Sequence, residues 1–185
     1  IIYSTAEKYH QETGQPAWSK GGAVRDQYFL KARVIVTYRQ DEDFLVSVLP
    51  HEISHLMLRD FIGVDKNIPI WFDEGIAQLQ ENGRLPLSSE VMKQLLKENQ
   101  SIPFKDFLNL DIRLTDDEKL VQLFYIQSVT VVDFLMKKNG NASFQELCYQ
   151  MKNGLDFLTA LKRVYSPSIN SEDEFEKKWL RYMQN

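Results

Sequence analysis

The sequence predicts an α+β fold, a small N-terminal β-sheet packed on a mostly α-helical body. Residues 23–38 are β-rich, and Ala32, Val34, Val36 and Tyr38 alternate with Arg33, Ile35 and Thr37 in the period-two pattern of a strand. After Gln40 the apolar spacing turns helical and stays so. No internal repeat and no linker divides the 185 residues, which predicts a single domain over 1–185, made of a helix-and-sheet part (1–42), a helix pair (43–81) and a helical part (82–185). A chain of this length with 43% hydrophobic residues buries a core without metal or disulfide staples, so any metal serves chemistry before folding.

Residues 1–14 read as a short helix ending at Gly14, after which Gln15-Pro16 turns the chain and Gly21-Gly22 opens an extended stretch. Two strands follow, divided around Arg25-Asp26. Helices are predicted at 43–60, 69–81, 89–99, 115–139, 143–153, 155–165 and 171–184. Thr115 with Glu118 and Ser143 with Glu146 read as capping boxes, and Gly140 stands where a helix C-terminal glycine belongs. Pro50 either kinks the first long helix or starts it, because inside a helix it loses a hydrogen bond and crowds the Val46 carbonyl.

Lys and Arg number 22 against 26 Asp and Glu, a net charge of -4 with the basic residues dispersed. That balance argues against a nucleic-acid partner, which needs a broad positive face. The lone Cys148, in FQELCYQM, reads as a buried helix residue and has no disulfide partner. No membrane span is expected: the best candidate stretch, 120–136, is broken by Gln122, Gln127 and Asp133. The start at Ile1, without a leader pattern, suggests a processed product or part of a longer protein, and leaves the compartment open.

His51-Glu52-Ile53-Ser54-His55 is an H-E-x-x-H on a predicted helix. Residues at i and i+4 share a face, so the two imidazoles can converge on one ion while Glu52 reaches a water beside it. A catalytic metal of this kind needs a third protein ligand. The continuation H-x-x-G-x-x-H is absent, since the chain runs on through Leu58, Arg59, Asp60 and Phe61, with neither its glycine nor its final histidine. The segment Pro69-Ile70-Trp71-Phe72-Asp73-Glu74-Gly75 offers a carboxylate from the next helix, with eighteen residues between His55 and Glu74. Asp73 competes with Glu74, and because neighbouring helix positions diverge by about 100° only one of them can aim inward. Gly75 is expected to let the second helix approach the first, with Trp71 and Phe72 as packing residues.

With LPHEISHLMLRD followed by IPIWFDEGIAQLQE, the chain resembles the gluzincin (thermolysin-like) metallopeptidases, in particular the small peptidase-MA-like domains with H-E-x-x-H and a later W-x-x-E-G-x-A. Trp71, Glu74, Gly75 and Ala77 match. The resemblance implies one zinc ion held by His51, His55 and Glu74, with Glu52 as general base. It also implies an edge strand ahead of the zinc helix that pairs with the substrate backbone, which falls at Gly21, Gly22, Ala23 and Val24. In the aminopeptidase branch a glutamate stands where Arg25 is found, so the resemblance favours an endopeptidase. Tyr125, in a segment matching Y-x-Q-S through Gln127 and Ser128, is implied as the oxyanion donor. Tyr149, Tyr165 and Tyr182 sit in charged or amphipathic patterns, and His10 in a polar helix reads as solvated.

The implied function is hydrolysis of peptide bonds in a peptide or protein substrate by a metal-activated water, without a covalent intermediate. The alternative is a catalytically inactive zinc-binding or interaction domain of the same fold. A third reading is a regulatory module of a longer chain that cleaves one partner. The resemblance further implies a secreted, periplasmic or membrane-anchored setting.

Overall fold

A computed structural model describes residues 1–15, 19, 21–25, 33–38 and 44–185. Strand β1 (Ile2–Tyr3) pairs in parallel with β3 (Arg33–Tyr38), and β2 (Gly21–Arg25) pairs antiparallel with β3, giving the sheet order β1-β3-β2. The predicted first helix is shorter than expected, because β1 takes its first residues. Helix α1 (Ala6–Thr13) is capped by the Thr5 hydroxyl at one end and by Gly14, at φ 67°, at the other. Thr37 donates its amide to Ile1, so its peptide groups face β1, and by the strand's period of two those of Val34, Val36 and Tyr38 face β2. Within β2, Gly22 and Val24 oppose Val36 and Val34, while Gly21, Ala23 and Arg25 turn their peptide groups to the other side. Among the described residues that side is an open edge.

Pro50 starts a helix. A π-helical segment (Phe44–Val48) leads into α2 (Leu49–Ile62), whose first turn holds the proline where no amide donor is needed. Asp43, the predicted start, lies outside the described residues. Then follow α3 (Ile70–Gln78), α4 (Arg84–Lys97), a short α5 (Phe104–Asn109), a 3-10 turn (Ile112–Leu114), α6 (Glu118–Lys138), α7 (Gly140–Lys152), α8 (Phe157–Tyr165) and α9 (Glu172–Gln184). Neither predicted capping box forms. Asp117, not Thr115, caps α6 by accepting from Lys119 and Leu120, and Thr115 accepts from Asp117 instead. Ser143 lies inside α7 and its hydroxyl donates back to Asn139, since α7 begins at Gly140. Helix α4 begins five residues before the predicted Ser89, with Pro86 tolerated in its first turn.

The core lies between α3, α6 and the C-terminal helices. Trp71 makes an edge-on contact with Phe157 at 4.9 Å and packs on Phe107 and Phe175, and Phe72 packs on Phe144 and Phe157. These two rings are thus the core-packing residues expected, anchoring α3 to the helical body. Gly75 also faces α6, not α2: a Cβ there would lie 2.6 Å from the Ser128 carbonyl and 2.5 Å from Val132. Helix α6 is, among the described residues, the one helix long and apolar enough to cross a membrane by length and composition, and most of it is buried in the core. Cys148 is buried, and burial raises its pKa to about 12, which keeps it a thiol. Tyr165 is also fully buried, its hydroxyl donating to the Leu135 carbonyl, because the amphipathic α8 turns this residue inward. His10 is half-buried rather than solvated, with Nδ1 3.2 Å from the Gln15 carbonyl and its ring edge-on to Tyr9.

Candidate metal centre

The spacing of four brings the imidazoles of His51 and His55 together on one face of α2, with Nε2 atoms 3.1 Å apart. Helix α3 delivers the third group. Glu74 Oε2 stands 3.5 Å from Nε2 of His51 and 3.7 Å from Nε2 of His55. A tetrahedral ion with bonds of about 2.0 to 2.1 Å would hold its ligand atoms about 3.3 Å apart, close to these separations. The three residues could therefore hold one small divalent ion.

Both outer nitrogens are occupied by carboxylates. His51 Nδ1 lies 2.8 Å from Glu81 Oε1, and His55 Nδ1 lies 2.7 Å from Asp73 Oδ1, whose other oxygen accepts from Arg59. A carboxylate can only accept, so each ring places its proton on Nδ1 and turns an Nε2 lone pair inward. Two lone pairs and the Glu74 oxygen then face one another, an arrangement that only a cation or an added proton relieves. Burial opposes a positive charge on His51, but the carboxylates of Glu74 and Glu81 outweigh it and push its pKa up to about 10. His55 is raised too: burial opposes the charge, and Glu74 and Asp73 overcome it. Adjacent carboxylates thus act on different sides of the pair, Glu74 toward the centre and Asp73 behind His55.

Glu52 is 5% exposed, and its Oε2, like that of Glu74, has no hydrogen-bond partner among the described residues. Burial, against the pull of both histidines, raises its pKa. Strand β2 lies directly over it. A Cβ on Gly21 would come within 2.9 Å of Glu52 Oε1, so a side chain there would displace the Glu52 carboxylate. Gly22 is turned the other way, toward Gln15 and the Tyr9 hydroxyl. Of Ala23 and Val24 the backbone is described; the Arg25 side chain, on which the endopeptidase expectation rests, lies outside the described residues.

Tyr125 projects from α6. Burial, then the charges of Glu74, Glu52 and Glu81, raise its pKa far above the usual phenol range, so the hydroxyl stays protonated within their electrostatic reach. The two residues that follow in the motif do other work. The fully buried Gln127 amide accepts from the Ile102 amide and donates to the Ile102 carbonyl, each at 3.1 Å, while Ser128 donates to Phe124 and presents its carbonyl to Gly75. Asp73, weighed in the sequence as a rival ligand to Glu74, instead holds the outer nitrogen of His55, while Glu81 and Arg59 were not read as site residues from the sequence. For Arg59 a signal existed, since it stands four residues after His55 on the same helix face; Glu81 lies past the end of α3, where helical spacing gives none.

Among curated proteins and among solved structures, none matches this chain. A family model does, and it spans both the sheet and the helical body. Covering residues 2–185, that match is to the peptidase MA superfamily, to which this chain belongs.

Proposed function

We propose that the protein is a zinc-dependent peptidase, the chain acting as one catalytic domain that cleaves within protein or peptide substrates. One observation carries this reading: Glu52, which has no place in the three-ligand set, keeps a buried, unpartnered carboxylate oxygen beside the converging His51, His55 and Glu74. A purely structural metal site would have no use for it.

Two imidazoles and a carboxylate, with no thiolate, suit zinc better than calcium or magnesium. When bound, the ion supplies Lewis acidity, acidifying water and polarising a peptide carbonyl. Glu52, its pKa raised by burial, takes the proton from the attacking water and hands it to the departing amine. The Tyr125 hydroxyl, held protonated, donates to the oxygen that gains negative charge. Asp73 and Glu81 fix the tautomers of the two histidines. The open edge of β2 along Gly21, Gly22, Ala23 and Val24 receives the substrate as an added strand, with the peptide groups of Gly21 and Ala23 facing outward and the Gly21 end over Glu52. Cleavage inside chains rests on Arg25, whose positive charge is unsuited to holding a free amino terminus.

The test is incubation of the zinc-loaded protein with unfolded β-casein, with products mapped by mass spectrometry. Internal cuts that stop with a zinc chelator and resume with added zinc are expected. Intact casein, with zinc bound, would leave an inactive metal-binding domain; release of single amino-terminal residues alone would overturn the endopeptidase assignment.

A further inference from the structure

The open edge of β2 is already partly used. Ser19, 6% exposed, donates its hydroxyl to the Gly21 carbonyl at 2.8 Å. Its oxygen also lies 2.8 Å from the Tyr9 hydroxyl, and since the one serine proton is committed to Gly21, Tyr9 must be the donor. Tyr9 is itself fully buried and edge-on to Tyr3, so the chain Tyr9, Ser19, Gly21 is fixed from within the fold. The register of β2 against β3 sends the Gly21 carbonyl to the same open edge as the peptide groups of Ala23. Gly21 is also the residue over Glu52.

We infer that Ser19 is a specificity-determining residue whose hydroxyl takes a lone pair of the Gly21 carbonyl on the open edge and stands in the approach of a substrate amide, so that an extended substrate draws its backbone hydrogen bonds from Ala23 onward rather than from the end of the strand over Glu52. This rests on the edge-strand reading above. Its consequence is asymmetric recognition. The substrate segment beside Ala23 and Arg25 is held as a strand, whereas the segment passing Gly21 is kept from its carbonyl and tolerates groups that cannot donate, such as proline or an N-methylated amide.

The experiment uses the Glu52→Gln protein, which cannot consume its ligand, and a decapeptide spanning one site that the parent protein cuts in β-casein. The peptide is N-methylated at one amide at a time and binding is measured by fluorescence anisotropy. Loss of one such hydrogen bond weakens binding roughly 2- to 10-fold. At least one methylated position should show that loss, assigned to Ala23, and the amide two residues along, toward Glu52, should be silent. Adding Ser19→Ala should make the silent position sensitive by a similar factor. Because that variant orphans the Tyr9 hydroxyl, Tyr9→Phe with Ser19→Ala, which removes both groups together, is run in parallel and should give the same gain. An unchanged methylation pattern in both variants overturns the assignment of Ser19 while leaving the edge strand standing. No position sensitive in any variant, or no peptide binding and no cleavage to supply the peptide, overturns the edge-strand reading and this proposal with it.

Discussion

Gly75 and Ser128 meet without a side chain between them: a Cβ on Gly75 would sit 2.6 Å from the Ser128 carbonyl oxygen, well inside contact distance. Gly75 follows Glu74 directly, so this close approach of α3 to α6 lies beside a proposed ligand. Backbone cannot swing aside as a flexible side chain can. Gly75→Ala should therefore push α3 away, at a cost of about 1 to 3 kcal/mol of overpacking. Weaker zinc binding should accompany the lower melting temperature. Unchanged values for both would show that the contact is looser than described.

Replacing Glu52 separates binding from chemistry. Glu52→Gln keeps size and removes a buried charge with an unpartnered oxygen, so the melting temperature should not fall and zinc should stay bound. Casein hydrolysis should drop by at least about 10². A variant that cleaves at the parent rate would remove Glu52 from the mechanism.

For Tyr125 the two roles diverge in kinetics. An oxyanion donor acts mainly in the transition state, so Tyr125→Phe should lower kcat and kcat/KM together, by about 10² to 10³, with KM little changed. A tyrosine that merely packs would show itself in the melting temperature with kcat intact.

Asp73 gives a test that needs no substrate. It holds the tautomer of His55 and is itself held by Arg59. Asp73→Ala should raise the zinc dissociation constant about 10- to 100-fold, measured by competition with a coloured chelator. Equal affinity in parent and variant would make the Asp73 contact incidental to the site.

How far the sequence could be read follows from the range of the forces involved. The pair His51 and His55 is set by helical spacing alone, and the nearby Glu74 by one short connection, so the centre was legible. Strand alternation around Val34 and Val36 likewise revealed the sheet, though not its order, because β1 is only Ile2–Tyr3 and joins β3 across more than thirty residues. Gly140 does stand just past the end of α6, at φ 78°, but the N-caps expected at Thr115 and Ser143 were misjudged, since several residues near a helix start can supply a cap and tertiary packing chooses among them. Gly75 was recognised as a close-approach residue but assigned to the wrong neighbour: the sequence marks the missing side chain and not the helix that fills the space.

The clamp between Gln127 and Ile102 bears on how related chains should be sorted. In the Y-x-Q-S segment the glutamine amide substitutes for a strand partner, satisfying the amide and carbonyl of one buried loop residue. That need is architectural and exists whether or not the protein turns over a substrate. On the mechanism proposed above, a copy that does not turn over substrate would still require Gln127, and would be free to discard Tyr125 and Glu52. Detecting the glutamine thus diagnoses shared scaffolding, whereas on the same proposal the pairing of the tyrosine with the glutamate is the feature by which working copies would be told from silent ones.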